Sequence, residues 1–83
     1  MNREKAIEML LNMGCDDLTE IMHPGKKEKR YLRYNFNNTS YIDFEFDYKE
    51  YDKVSVLANR KHISGYLTFT ELQNLLVKLD LIN

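Results

Sequence analysis

Ser40-Tyr41-Ile42-Asp43-Phe44-Glu45-Phe46-Asp47-Tyr48 is the stretch that decides the fold. Ile42, Phe44, Phe46 and Tyr48 occupy one phase of a two-residue period, and Asp43, Glu45 and Asp47 the other. In an extended chain successive side chains point to opposite faces. The alternation therefore describes a half-buried strand with an apolar core face and a row of three carboxylates behind it.

The flanking segments repeat the pattern. Upstream, Leu32, Tyr34 and Phe36 alternate with Tyr31, Arg33 and Asn35, and Asn37-Asn38-Thr39-Ser40 reads as a turn. Downstream, residues 48–52 turn again, and Val54, Val56 and Ala58 alternate in a third strand. Parity fixes which loops are allowed. Phe36 and Ile42 share a face only if the loop between them has an odd number of residues. A three-residue loop at 38–40 pairs Tyr34 with Phe44 and Leu32 with Phe46. A loop at 50–52 pairs Tyr48 with Val54 and Phe46 with Val56.

Helices flank this meander. Over residues 2–13, Ala6, Ile7, Leu10 and Leu11 follow helical spacing, with Asn2 suited to cap the start and Gly14 to end it. Residues 16–22 suggest one or two further turns, with Asp17 and Glu20 spaced like a capping box, stopped by His23-Pro24-Gly25. The last helix opens on the capping box Thr68-x-x-Glu71, with a Leu67/Leu72 staple. It continues through an apolar face of Phe69, Leu72, Leu75, Leu76, Leu79 and Ile82. The fold expected is α+β: a three-stranded antiparallel meander with N- and C-terminal helices on one face, in the order α(α)βββα. Its 83 residues make one domain, 1–83.

Twelve basic against thirteen acidic residues leave a net charge of −1, which argues against a nucleic-acid binder driven by bulk charge. The single cysteine, Cys15, permits no internal disulfide. No apolar run approaches the roughly 20 residues that span a bilayer, and the start of the chain lacks a signal-peptide core. A cytoplasmic protein with no membrane partner is expected.

The register places Tyr31, Arg33, Tyr41, Asp43, Glu45, Asp47 and Leu57 on the sheet face away from the helices. Arg33 falls opposite Glu45, a cross-strand pair worth about 0.2–1 kcal/mol. The plain reading is a solvated face. The sharper one is a partner-binding surface with tyrosines as anchors and carboxylates for selectivity, its negative potential suited to a basic protein. A second surface is basic: Lys26, Lys27, Lys29 and Arg30, then Arg60, Lys61 and His62. These loops are either solubilising charge or phosphate contacts. The excess width of the last helix's apolar face, through Val77 and Leu81, would serve a homodimer.

Nothing in the chain has the spacing of a catalytic or metal motif. Cys15, Asp16, Asp17 and His23 lack the regular ligand spacing of a structural zinc site. The acidic row lacks a calcium loop's glycine, and three dispersed glycines make no phosphate loop. A protein without cofactor, metal or enzymatic activity is expected.

Two resemblances bear on function. The order α-β-β-β-α is shared with double-stranded RNA-binding domains, whose last helix meets phosphates through lysines at its start. Here that position reads Leu67-Thr68-Phe69-Thr70-Glu71, with no lysine until Lys78. The segment I-S-G-Y-L-T-F-T-E-L-Q-N-L-L-V-K-L-D-L-I, residues 63–82, resembles the ending of many small phage and prophage proteins of low-GC Gram-positive bacteria. In these a short aromatic sheet leads into a T-x-x-E-L helix. Some of similar order are anti-CRISPR inhibitors that occupy a nuclease's DNA-binding groove. That resemblance implies a binding module acting on a protein of the bacterial host cell, with Asp43, Glu45 and Asp47 standing in for phosphates and Glu50 and Asp52 extending the row.

Overall fold

Asn2 and Gly14 bracket the first helix for local reasons. In a computed structural model, which describes residues 1–83 apart from Lys27, Tyr48, Arg60, Ser64 and Asn83, α1 spans Arg3–Asn12. The Asn2 side chain accepts the Lys5 N–H at 2.8 Å, satisfying one donor that the first turn leaves free. Gly14 sits at φ +98°, where an L side chain would be strained. Its N–H donates to the Leu11 carbonyl and the Cys15 N–H to that of Leu10, closing a Schellman motif.

The chain then leaves the expected path. Asp16–Asp17 form a short strand, β1, and only Thr19–Met22 are helical, as α2. The Asp17 carboxylate bends the chain by accepting both the Thr19 N–H and its hydroxyl. The Leu18 N–H donates to the Tyr31 carbonyl, and the Tyr31 N–H donates to Thr19 Oγ1. The expected Asp17/Glu20 capping box is absent; Asp17 acts one step earlier.

Three central strands follow: β2 (Arg30–Asn35), β3 (Tyr41–Phe46) and β4 (Lys53–Ala58), all antiparallel. Two-residue strands line the edges. β1 pairs with β2, while β5 (Lys61–His62) and β6 (Leu67–Thr68) share the far side of β4. Helix α3, Phe69–Lys78, completes the chain. Its capping box is formed as the sequence requires: Thr68 Oγ1 accepts the Glu71 N–H, and the Glu71 carboxylate accepts the Thr68 N–H.

Parity is as expected, but both hairpins are displaced by two residues. Tyr34 faces Ile42, Leu32 faces Phe44, and Phe44 faces Val56. The cause of the first shift is Asn37. Its side-chain oxygen accepts from the Thr39 N–H, the Thr39 hydroxyl and the Ser40 N–H, so the loop is 37–39, closed by Phe36 N–H donating to the Ser40 carbonyl. Phe36 is thereby carried beyond the core and left exposed, edge-on to Tyr34 at 5.2 Å. The expected Tyr48–Val54 pair lies outside the described residues.

The core lies between the sheet and the long helices. Ala6, Ile7 and Leu10 of α1 and Phe69, Leu72 and Leu76 of α3 meet Leu32, Ile42, Phe44, Phe46, Val54 and Val56, with Cys15 at the end of α1. Burying each large side chain contributes about 1.5–3 kcal/mol. Arg3, which the helical pattern assigns to solvent, is buried as well. Its guanidinium lies 5.6 Å from the Phe46 ring centre and 4.6 Å from that of Tyr51, and it donates to the backbone carbonyls of Asp47 and Glu28.

Candidate functional site

The two-residue shift rebuilds the far face of the sheet. Arg33 stands opposite Asp43 rather than Glu45, and Tyr31 opposite Glu45. Asp43 has no exposed surface at all, and Tyr31 keeps only 4%. Arg33 grips Asp43 with two donors, Nε at 2.7 Å and an Nη at 3.0 Å, and the Tyr31 hydroxyl donates to the same carboxylate. The guanidinium also lies over the Tyr41 ring, 3.8 Å from its centre. Desolvation, and then the Asp43 charge, push the Tyr31 hydroxyl up to about 12, while the hydrogen bonds to Asp43 raise the Arg33 guanidinium further.

The expected open row of three equivalent carboxylates is therefore not what the chain builds. Asp43 is neutralised beneath the surface. Glu45 is half-buried, 3.3 Å from His23 Nε2. Asp47 lies just past the end of β3, its side chain accepting the Lys49 N–H. Leu57 and Tyr41 are half-buried on the same face. The face is also walled. On one side, α2 and the residue after it bring His23 edge-on to Tyr31 at 6.0 Å, with Ile21 75% exposed just outside. On the other, Ile63 follows β5 and donates its N–H to the Val56 carbonyl, and Gly65 and Tyr66 precede β6.

Beside these residues lies an open cleft of about 590 Å³, lined by Glu45, Ser55, His62, Ile63, Gly65 and Tyr66. Tyr66 is 45% exposed. Desolvation, then the charges of Asp47, Glu45 and Glu50, raise its hydroxyl. Of the expected contact residues, the cleft takes in only Glu45. Ser55 joins it from the face that the alternation of the third strand assigns to it, while His62, Ile63, Gly65 and Tyr66 are additions that no periodicity marks, because they lie in a two-residue edge strand or in the residues that follow it.

The basic loops do not converge. Arg30 begins β2 opposite Phe46, whereas Lys61 pairs with Ala58, itself opposite Ile42 at the other end of β3. Arg30 is tied to Asp17 at 2.7 Å. Lys26 is exposed and Lys29 half-buried near Arg30, while Lys27 and Arg60 lie outside the described residues. Among the described residues no group of three or more His, Cys, Asp or Glu is placed to hold a metal ion, and no helix is long and apolar enough to cross a membrane. Neither a family model, nor a curated protein, nor a solved structure matches the chain.

Proposed function

We propose that this chain is a non-enzymatic protein-binding module of the kind small phage proteins use to inhibit or modulate a host protein. Its binding surface is the walled polar face, and its target presents basic side chains. The observation that carries this reading is the cleft at Glu45 and Tyr66. The Glu45 carboxylate and the Tyr66 ring line one cleft, and Asp47, Glu45 and Glu50 act on that tyrosine, a combination that suits an arginine or lysine side chain, which gains an ion pair and a cation–π contact together. Exposed Ile63 at the edge of the cleft offers part of the desolvating rim that such contacts need, and Ile21 and Met22 are exposed at the opposite wall of the face.

The buried Tyr31–Asp43–Arg33 array contributes by holding this face in one conformation, which lowers the entropy lost on binding. A nuclease whose groove normally receives phosphates is the target class that the surface chemistry fits. The separation of Arg30 from Lys61 weighs against a phosphate-binding surface formed by both basic loops.

Affinity capture from nuclease-treated bacterial lysate tests the reading, with wild type beside Glu45→Lys and Tyr66→Ala. A protein retained by wild type and lost by both folded variants is the expected result. Capture that disappears with nuclease and ignores both substitutions would overturn it.

A further inference from the structure

A second surface, on the other side of Ile63, is independent of that cleft in its chemistry. Between α3 on one side and Ile63 and Leu67 on the other runs a groove of about 350 Å³, lined also by Glu71, Asn74, Leu75 and Lys78. Ile63 is 49% exposed, and Val77, flanking Asn74 on the outer side of α3, is 44% exposed. The floor is apolar and its two ends are oppositely charged.

We infer that this groove is the interface of a symmetric dimer, with α3 packed antiparallel against α3 of a second copy. The spacing of the charges selects that occupant. Glu71, Asn74 and Lys78 form one stripe along the helix, and Glu71 and Lys78 are two turns, about 10.5 Å, apart. A two-fold axis passing beside Asn74 brings Glu71 of each copy to Lys78 of the other, so a single surface supplies both halves of both ion pairs. Such self-complementarity is the requirement of an isologous contact. A parallel arrangement would place like charges together. Asn74 meets its own counterpart at the axis, where an amide donates and accepts equally well. Leu75 and Ile63 cover the apolar floor of the facing copy; Ile63 also edges the acidic cleft, whose Glu45, Ser55, His62 and Tyr66 do not line this groove.

Analytical ultracentrifugation over a range of chain concentrations tests this directly. Wild type should move reversibly between the 10.0 kDa chain and twice that mass. Lys78→Glu, an exposed change in the last turn, sets four glutamates against one another and should weaken association by about tenfold or more. Glu71→Lys combined with Lys78→Glu restores opposite pairs and should restore the dimer, with circular dichroism confirming that each variant is folded. A wild-type protein that stays monomeric at its solubility limit overturns the inference. So does a dimer indifferent to Lys78→Glu, or a folded double variant that fails to regain the association lost in the single one.

Discussion

Asp43 is a carboxylate taken wholly out of water, and what it needs is donors. Three reach it, two from Arg33 and one from the Tyr31 hydroxyl, and no buried side-chain polar atom among the described residues lacks a partner. The two donating residues differ in weight. Tyr31→Phe removes a hydrogen bond to a charged group while Arg33 keeps its grip, and should cost about 1.5–2 kcal/mol. Arg33→Met strands the buried charge and should cost about 3 kcal/mol or more. Urea unfolding of both variants measures the difference, and an equal loss would contradict the assignment. Alkaline pH probes both sides of the sheet. Burial pushes the Cys15 thiol from 9.0 up to about 12, and the Tyr31 hydroxyl moves from 10.0 up to about 12. Both groups hold in the folded chain a proton that the unfolded chain gives up, so unfolding releases protons in this range. The contribution of these two groups to stability is full below pH 9 and is lost as pH rises to about 12, and the loss should be smaller in Tyr31→Phe when melting is followed against pH.

At the scale of elements, the ends of helices are the parts most plainly written in the chain. Asn2, Gly14 and the Thr68–Glu71 box act as their chemistry requires. Thr68→Ala should cost about 1 kcal/mol, and Gly14→Ala, which forces a side chain into positive φ, about 1–2 kcal/mol. Thermal melts check both, and a neutral Gly14→Ala would deny the strained C-terminal turn. Strand faces were equally legible, because Ile42, Phe44 and Phe46 alternate without a break. The register was not. A slip of two residues leaves every side chain on its face, so the period-two pattern is blind to it; the Asn37 side chain decides it, through three hydrogen bonds that no hydrophobic count contains. That slip is why Arg33 finds Asp43 and why the acidic row closes over. The walls of this sheet face were illegible for another reason. α2 is four residues long and β5 and β6 two each, too short to carry a period, and tertiary pairing alone holds them in place.

Across the whole molecule, Arg3 is the residue that joins distant parts. It ties the start of α1 to the carbonyls of Glu28 and Asp47 and to the rings of Phe46 and Tyr51, while desolvation lowers its own proton affinity. Arg3→Ala removes two charge-assisted hydrogen bonds and two ring contacts, and should cost about 3 kcal/mol in urea unfolding. Native-state hydrogen exchange should then show faster opening of α1 and of the segments around Glu28 and Asp47 together; exchange that quickens in α1 alone would mean that the residue serves only its own helix. Cys15 closes the opposite end of that helix, buried where the Schellman turn hands the chain to β1, and it is the sole cysteine in the sequence. The molecule consequently carries its own reporter thiol. While α1 is docked, an alkylating reagent finds neither access nor thiolate, so labelling should proceed only as fast as this junction opens. Gly14→Ala should raise the labelling rate about fivefold to thirtyfold, in step with its loss of 1–2 kcal/mol. Mass spectrometry of a timed quench would then read the undocking of a helix without any engineered probe.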